Sequence, residues 1–366
     1  MAFSSSRSLF QTRFFSFGRF PGEVCPVGNN VTHTPVFFQE VLDILRPKKD
    51  QIFLDTTYGT GGHTNLILDH QPHARVIASD RDVSSIDLAM RMGQKYPSGS
   101  LNAIVARFSE LPRHLIRLGL RENTCDGVII DCGISDIQWG GERGFSLKGP
   151  LDLRMDPERY PETPTASEVL QSIRELPLLR PLKNYGKLKT NAKLVANAIV
   201  ESRYMFNRFT TAEELYEVLL DAVKFSEVRR SLFLTTEEAS SWEKAFTESL
   251  LHRTLTALRM FVNDEINQLE YGVRIASHYL KPGGLLLVVV RGEAEEIALR
   301  KTLTEIDFDP ILSNDPEILR TLPWKLVGQI PYRLSKADQM LHPRNENACM
   351  YVAAKVREML TLAGRE

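Results

Sequence analysis

The chain has 366 residues, 43% of them hydrophobic and 25% charged, with 45 lysines and arginines against 46 acids. That composition excludes a wholly disordered, collagen-like or coiled-coil protein. The formal net charge of −1 means that no global field draws the protein to nucleic acid, so any such contact must rest on local patches.

The first 22 residues hold three arginines (Arg7, Arg13, Arg19), five serines, six phenylalanines and no acid. An Arg-rich, acid-free start without a secretory-length apolar run matches a mitochondrial or plastid transit peptide; the alternative is a tail that carries no signal. Residues 1–31 are therefore expected to be a transit-like segment and linker, and the mitochondrial matrix the destination. Residues 36–45 read as a short amphipathic helix stopped by Pro47. Gln51–Leu54 is then an apolar strand ending at Asp55, followed by a glycine cluster and a helix, which is the start of a βα unit. Arg75–Ser79 leads into Asp80, Asn102–Ala106 is a third strand, and Asp126–Ile130 leads into Asp131. Three strands thus run into an aspartate, where open α/β sheets place their ligands.

From about Trp139 to Phe246 the periodicity is helical. Leu194, Val195, Ala198 and Ile199 share one face, as do Leu215, Val218, Leu219 and Ala222. Residues 253–280 are expected to form one long helix ended by Lys281-Pro282-Gly283-Gly284, with Leu285–Val290 an apolar strand after it. The arrangement is an α/β sheet domain over 32–138 and 252–356, split by a helical insertion at 139–251, with a tail at 357–366. No run has the length and apolarity of a membrane span. Cys25, Cys125, Cys132 and Cys349 form no C-x-x-C pair, so neither a disulfide framework nor a zinc site is indicated.

The strongest local signal is Asp55-Thr56-Thr57-Tyr58-Gly59-Thr60-Gly61-Gly62-His63. Its G-x-G-G spacing is not the G-x-G-x-x-G of a dinucleotide turn, which disfavours a dehydrogenase, and no GK[ST] ending follows. A carboxylate before the turn instead suits S-adenosylmethionine, which presents an ammonium and a sulfonium. Asp80 is spaced to accept from ribose hydroxyls, although Asp80-Arg81-Asp82 also reads as a solvent-facing turn.

Residues 131–138 read DCGISDIQ and 143–156 read RGFSLKGPLDLRMD. With His33-Thr34-Pro35-Val36, the D-x-T-x-G-x-G-G-H turn, Tyr185-Gly186, Arg253–Arg259, Asn263-Asp264-Glu265, Pro282-Gly283-Gly284 and His342-Pro343-Arg344, the chain resembles the bacterial 16S rRNA (cytosine-N4)-methyltransferase family and its organellar relatives over about 32–356. The resemblance implies a class I methyltransferase with a Rossmann-like sheet, S-adenosylmethionine as cofactor, and methyl transfer to N4 of a cytidine in small-subunit rRNA. It also implies cofactor contacts from Gly61, Gly62, His63, Asp80, Phe108, Asp131 and Gln138. His63 equally reads as a shaper of the turn, and Phe108 as a packing residue.

N4 methylation demands alignment and the handling of one proton, because the amine lone pair is delocalised into the ring. Asp131 is the first candidate to accept from the amine, its other reading being a cofactor contact alone. Ser135 is a candidate assistant or a local cap. Arg143, Arg154 and Asp156 read either as a phosphate-holding set or as an ion-pair network locking the insertion to the sheet. Residues 180–210 carry seven Lys or Arg and one acid, Glu201, a local charge of +6 by subtraction, which supports an RNA-facing insertion. One segment departs from the family: where SFHSLEDR is usual, this chain has Val290-Arg291-Gly292-Glu293-Ala294-Glu295-Glu296. Two readings stay open: an enzyme acting on rRNA or assembling small subunits, and a catalytically weak or inactive factor working with other assembly factors.

Overall fold

Apolar runs that end in aspartate become the parallel strands of one sheet. The computed structural model describes residues 35–140, 143–145, 149–205, 208–226, 236–304, 324–328, 330–341 and 345–356. The transit-like segment, His33-Thr34, Ser146–Lys148, His342-Pro343-Arg344 and the tail lie outside the described residues. After α1 (Phe38–Leu45), β1 (Ile52–Asp55), α2 (Gly62–His70), β2 (Arg75–Asp80), α3 (Val83–Gly93), β3 (Leu101–Val105), α4 (Leu111–Arg117), β4 (Cys125–Asp131) and α5 (Asp136–Gly140) follow in chain order. Much later come β5 (Leu280–Val290), β6 (Trp324–Leu326), β7 (Tyr332–Arg333) and β8 (Cys349–Lys355).

The sheet order is β3-β2-β1-β4-β5-β8-β6, with β7 also paired to β8. Strands β1 to β5 pair in parallel, whereas β8 runs antiparallel to β5 and β6. The order reverses between β1 and β4, so the crevice of this α/β sheet opens at their carboxyl ends. Asp55 is in register with Ile129, two residues before Asp131. Val128, Ile129 and Ile130 are at most 1% exposed, and each such side chain contributes roughly 1.5–3 kcal/mol on burial.

The insertion has its own core, running from Phe145 to Leu258. It contains α6 (Ala166–Ser172), α7 (Glu175–Asn184), α8 (Ala192–Tyr204), α9 (Ala212–Lys224) and most of α10 (Thr236–Val262). The start of α9 is set by Thr211 and Glu214, which satisfy each other's backbone N–H. Val195 and Ile199 of α8, and Leu215 and Leu219 of α9, are buried as the periodicity predicts. Two elements differ from expectation. Strand β5 begins at Leu280, so the Pro-Gly-Gly turn lies within it rather than ahead of it, with a register shift where it meets β4. The expected helix over 253–280 is two helices, α10 and α11 (Glu265–Tyr279). Asn263 breaks it: its side chain donates to Leu153 O at 2.7 Å and accepts from Met155 N at 2.8 Å, while Asp264 takes φ +52°. The 251/252 boundary therefore falls inside α10, which runs from one core into the other. The remaining helices, α12 (Glu293–Thr304) and α13 (Lys336–Leu341), flank the last strands. No described helix is long and apolar enough to cross a membrane.

An ion-pair belt joins the insertion to the sheet. Asp156, 2% exposed, accepts from Arg81 at 2.8 Å and from Arg107 at 2.7 and 3.1 Å. Arg143 pairs with buried Asp82 at 2.8 Å and donates to Met155 O at 2.7 Å. Arg154 forks onto Asp152 at 2.7 and 2.9 Å and reaches Pro161 O and Thr163 O. All three residues of the expected substrate-binding set are thus committed to partners within the chain, as the ion-pair reading has it.

Burial pushes the Asp156 carboxyl up, but hydrogen bonds from Arg107 and Arg81 outweigh it and hold the group below its ordinary value. Asp156→Ala leaves two guanidiniums facing an empty site and is expected to lower unfolding free energy by about 3–5 kcal/mol in urea titration. In the wild type this contribution is present above the unfolded carboxylate value of about 3.9 and is lost as pH falls through the lower folded one. The wild-type advantage over the variant should therefore shrink in acid.

Candidate functional site

Three carboxylates stand along the carboxyl edge of the sheet, and the glycine turn lies among them. Gly59 has φ +53° and Gly61 φ +85°, values that side-chain-bearing residues rarely adopt. The turn lets Gly59 N donate to Asp80 Oδ2 at 2.7 Å, while Asp82 N donates to Asp80 Oδ1 at 2.9 Å. Burial pushes the Asp80 carboxyl up to about 6 against those two hydrogen bonds. Gly61 and Gly62 serve packing: a Cβ would stand 2.5 Å from Tyr58 Oη in the first and 2.9 Å from Pro35 in the second.

Asp55 is 1% exposed and accepts from Thr64 Oγ1 at 2.7 Å and Thr57 N at 3.2 Å. Burial raises its carboxyl above the ordinary value despite His63 and Thr64. Thr57 also ties β1 to β4, since its Oγ1 accepts from Asp131 N at 2.7 Å. His63 Nε2 lies 3.1 Å from Val36 O, which only accepts, so Nε2 carries the proton. Nδ1 then faces Asp131 Oδ2 at 3.9 Å. His63 therefore shapes the turn and also stands beside the candidate catalytic carboxylate.

Ser135 and Gln138 bond each other's backbone amides at 3.1 and 3.3 Å, closing the first turn of α5. Gln138 is 3% exposed, and Ser135 acts here as a cap. Phe108, just after β3, is half-buried and packs on α11, close enough that a Cβ at Gly272 would lie 2.9 Å from its ring. Its contacts are those of the packing reading, since the ring lies against the core of the sheet domain.

Arg291, just after β5, is a residue at this edge that the sequence did not single out. Its Nη1 donates to Asp131 Oδ1 at 2.5 Å and to Cys132 O, and its Nε to Asn345 Oδ1 at 2.8 Å. Burial pulls the guanidinium down, and Asp131 more than restores it, so Arg291 is firmly cationic. Glu295, 4% exposed, fixes the segment by accepting from Arg291 N at 2.6 Å and Gly292 N at 2.9 Å. The unusual 290–296 segment was the only sequence signal; its partner Asp131 lies 160 residues earlier.

The donor set fits a cationic nucleoside cofactor better than a pyrophosphate. Carboxylates at Asp55, Asp80 and Asp131 would repel phosphates and attract an ammonium or sulfonium. Asp80 keeps lone pairs for ribose hydroxyls beyond the two amides it accepts from.

A family model described as the MraW methylase family matches residues 30–356. The human 12S rRNA N(4)-cytidine methyltransferase METTL15 is 36% identical over 350 residues, covering 88% of this chain and 83% of that protein. Ribosomal RNA small subunit methyltransferase H of Methylibium petroleiphilum is 31% identical over 327 residues, covering 88% and 95%. The Culex quinquefasciatus protein mosPTP-1, a receptor-type tyrosine-protein phosphatase by name, is 39% identical over 274 residues. That match covers 74% of this chain but only 18% of the mosquito protein, so its name describes a far longer chain.

Because the Asp80 carboxyl is raised, its ionised form strains the fold above the unfolded value of about 3.9, and stability from this group falls as pH rises toward 6. Ribose hydroxyls donate best to the ionised form. S-adenosylmethionine affinity is therefore expected to fall as pH drops below about 6. Calorimetry between pH 5 and 8 should find Asp80→Asn binding roughly ten- to a hundredfold weaker at neutral pH, with that dependence flattened.

Proposed function

Since the chain belongs to the MraW methylase family and is an S-adenosylmethionine-dependent methyltransferase, we propose that it methylates N4 of a cytidine in mitochondrial small-subunit rRNA. The observation that carries this reading is the edge where Asp55, Asp80 and Asp131 surround the positive-φ glycine turn. Bound S-adenosylmethionine supplies a methyl group already activated by its positive sulfur, so the chemistry left to the protein is alignment and one proton.

Asp131 is suited to that task. It ends β4 at the switch point of the sheet, and its side chain is 19% exposed, open enough to meet a base drawn out of its stack. Accepting a hydrogen bond from the exocyclic amine localises the nitrogen lone pair and gives the departing proton a direction. Thr57 holds the backbone of Asp131 from the turn side, and His63 Nδ1 stands 3.9 Å from its carboxylate. Exposed Arg180, Lys183, Lys187, Lys189, Lys193 and Arg208 on the insertion offer a surface for the RNA backbone. Arg143 and Asp156 contribute by holding that surface to the sheet through Asp82, Arg81 and Arg107, while Arg154 braces the insertion internally on Asp152. The proposed compartment is the mitochondrial matrix, supported by the acid-free start and by the 12S rRNA in the name of the human relative.

A second reading has one observation in its favour. Arg291 already occupies one Asp131 oxygen, which leaves less of that carboxylate to meet an amine and suits a protein that binds maturing subunits beside other assembly factors without turnover.

Full-length protein incubated with labelled S-adenosylmethionine and unmodified small-subunit RNA should yield N4-methylcytidine on nucleoside mass spectrometry. Asp131→Ala should lower the rate by about a hundredfold or more while cofactor binding persists. Glutamate at Lys183, Lys187, Lys189 and Lys193 together should raise KM for RNA and leave kcat nearly unchanged. Cofactor binding without transfer would replace this reading with the assembly-factor one.

A further inference from the structure

Arg291 stands at the carboxyl end of β5, beside the carboxyl end of β4, and is anchored from several directions. Asp131, Cys132 O and Asn345 take its Nη1 and Nε, and Glu295 takes its backbone N–H. Gly133 permits the approach: a Cβ there would lie 3.2 Å from Arg291 Cδ. Nη2 has no hydrogen-bond partner among the described residues, and the side chain is 25% exposed. The result is a fixed acceptor, the Asp131 carboxylate, next to a fixed donor with N–H groups to spare.

That order of groups tells the two pyrimidine bases apart. Cytosine presents an amine donor at N4 beside an acceptor at N3, whereas uracil presents an acceptor at O4 beside an N3–H donor. A carboxylate and a guanidinium side by side satisfy the first pattern and leave two unmet pairs against the second. We propose that Asp131 and Arg291 together read the target base, the carboxylate accepting from N4–H and the guanidinium donating to N3. The inference rests on the cytidine-N4 reading above and adds a residue that tells cytosine from uracil.

The division of labour follows from the chemistry. Donation to N3 does not make the amine a better nucleophile, so Arg291 acts by selection and alignment. Asp131 accepts from the amine that reacts. As the new N4–CH3 bond forms and the methyl–sulfur bond breaks, N4 sheds one proton to the Asp131 carboxylate. The Arg291 contact fixes where that carboxylate points, so the pair that favours non-turnover in one reading becomes the recognition element in this one.

The test replaces the acceptor rather than the enzyme. RNA is assembled by ligation with 3-deazacytidine, in which N3 is a C–H, at the nucleotide identified by mapping the methylated fragment. Wild-type kcat/KM is expected to fall roughly ten- to a hundredfold on this RNA. Arg291→Met, checked for folding by cofactor calorimetry, should be slow on cytidine yet treat the two RNAs within about threefold of each other, because it has no donor to lose. A merely structural arginine would slow both substrates alike and keep the wild-type ratio, which overturns the proposal. Equal wild-type rates on the two RNAs overturn it whether or not the variant folds. Transfer to neither RNA by the wild type defeats the cytidine-N4 reading itself, a failure distinct from loss of base selection.

Discussion

A carboxylate withdrawn from water must find partners, and this sheet brings three to the ends of adjoining strands. Each is accommodated differently. Asp55 sits deepest and is held by Thr64 and Thr57 with its carboxyl raised by burial. Asp80 is cradled by the amides of Gly59 and Asp82. Asp131 alone meets a full positive charge, from Arg291. Placing the countercharge only there leaves the Asp55 and Asp80 side of the crevice net acidic, where a cationic cofactor gains most, and makes the Asp131 side nearly neutral, where an uncharged base must bind.

The same edge governs the insertion. The loop that begins at Asp80 continues through Arg81 and Asp82, and these two residues pair with Asp156 and Arg143 of the insertion. The acid that would hold the ribose is therefore one peptide bond from a residue that anchors the insertion. Arg81 also donates to Asn263 O, at the break between α10 and α11, so the helix that carries the insertion core into the sheet ends on the same loop. A shift of the insertion on RNA would be transmitted to Asp80 through buried ion pairs, which resist small displacements because their desolvated charges have no nearby substitute partners.

The strands and their terminal aspartates were legible because a parallel sheet writes a local pattern: an apolar run, an acid, then a turn. The glycine turn was legible for the same reason, and so were α8 and α9, whose apolar faces repeat within one helix. What escaped was set by distance. Arg154 and Asp152 are neighbours, but Asp156 finds its partners 75 and 49 residues away, and nothing in RGFSLKGPLDLRMD itself distinguishes an arginine meant for phosphate from one meant for a buried acid. The helix break at Asn263 was likewise invisible in the pattern, since it is a tertiary hydrogen-bond network reaching to Leu153 and Met155 that outcompetes helical continuation.

The 290–296 segment shows how a departure from a family's pattern should be weighed. By sequence it removes serines and a histidine and reads as a loss. In the fold, Arg291 and Glu295 form a new arrangement that is internally consistent: Glu295 fixes the backbone, Gly133 makes room, Asn345 orients the guanidinium, and Asp131 receives it. Here every polar contact that fixes the arginine has a matching partner, including one from a strand-flanking segment more than fifty residues further on. A guanidinium held that firmly beside a partly open carboxylate is costly to build, because both charges must give up water and hold one geometry, and base recognition is the role proposed for it.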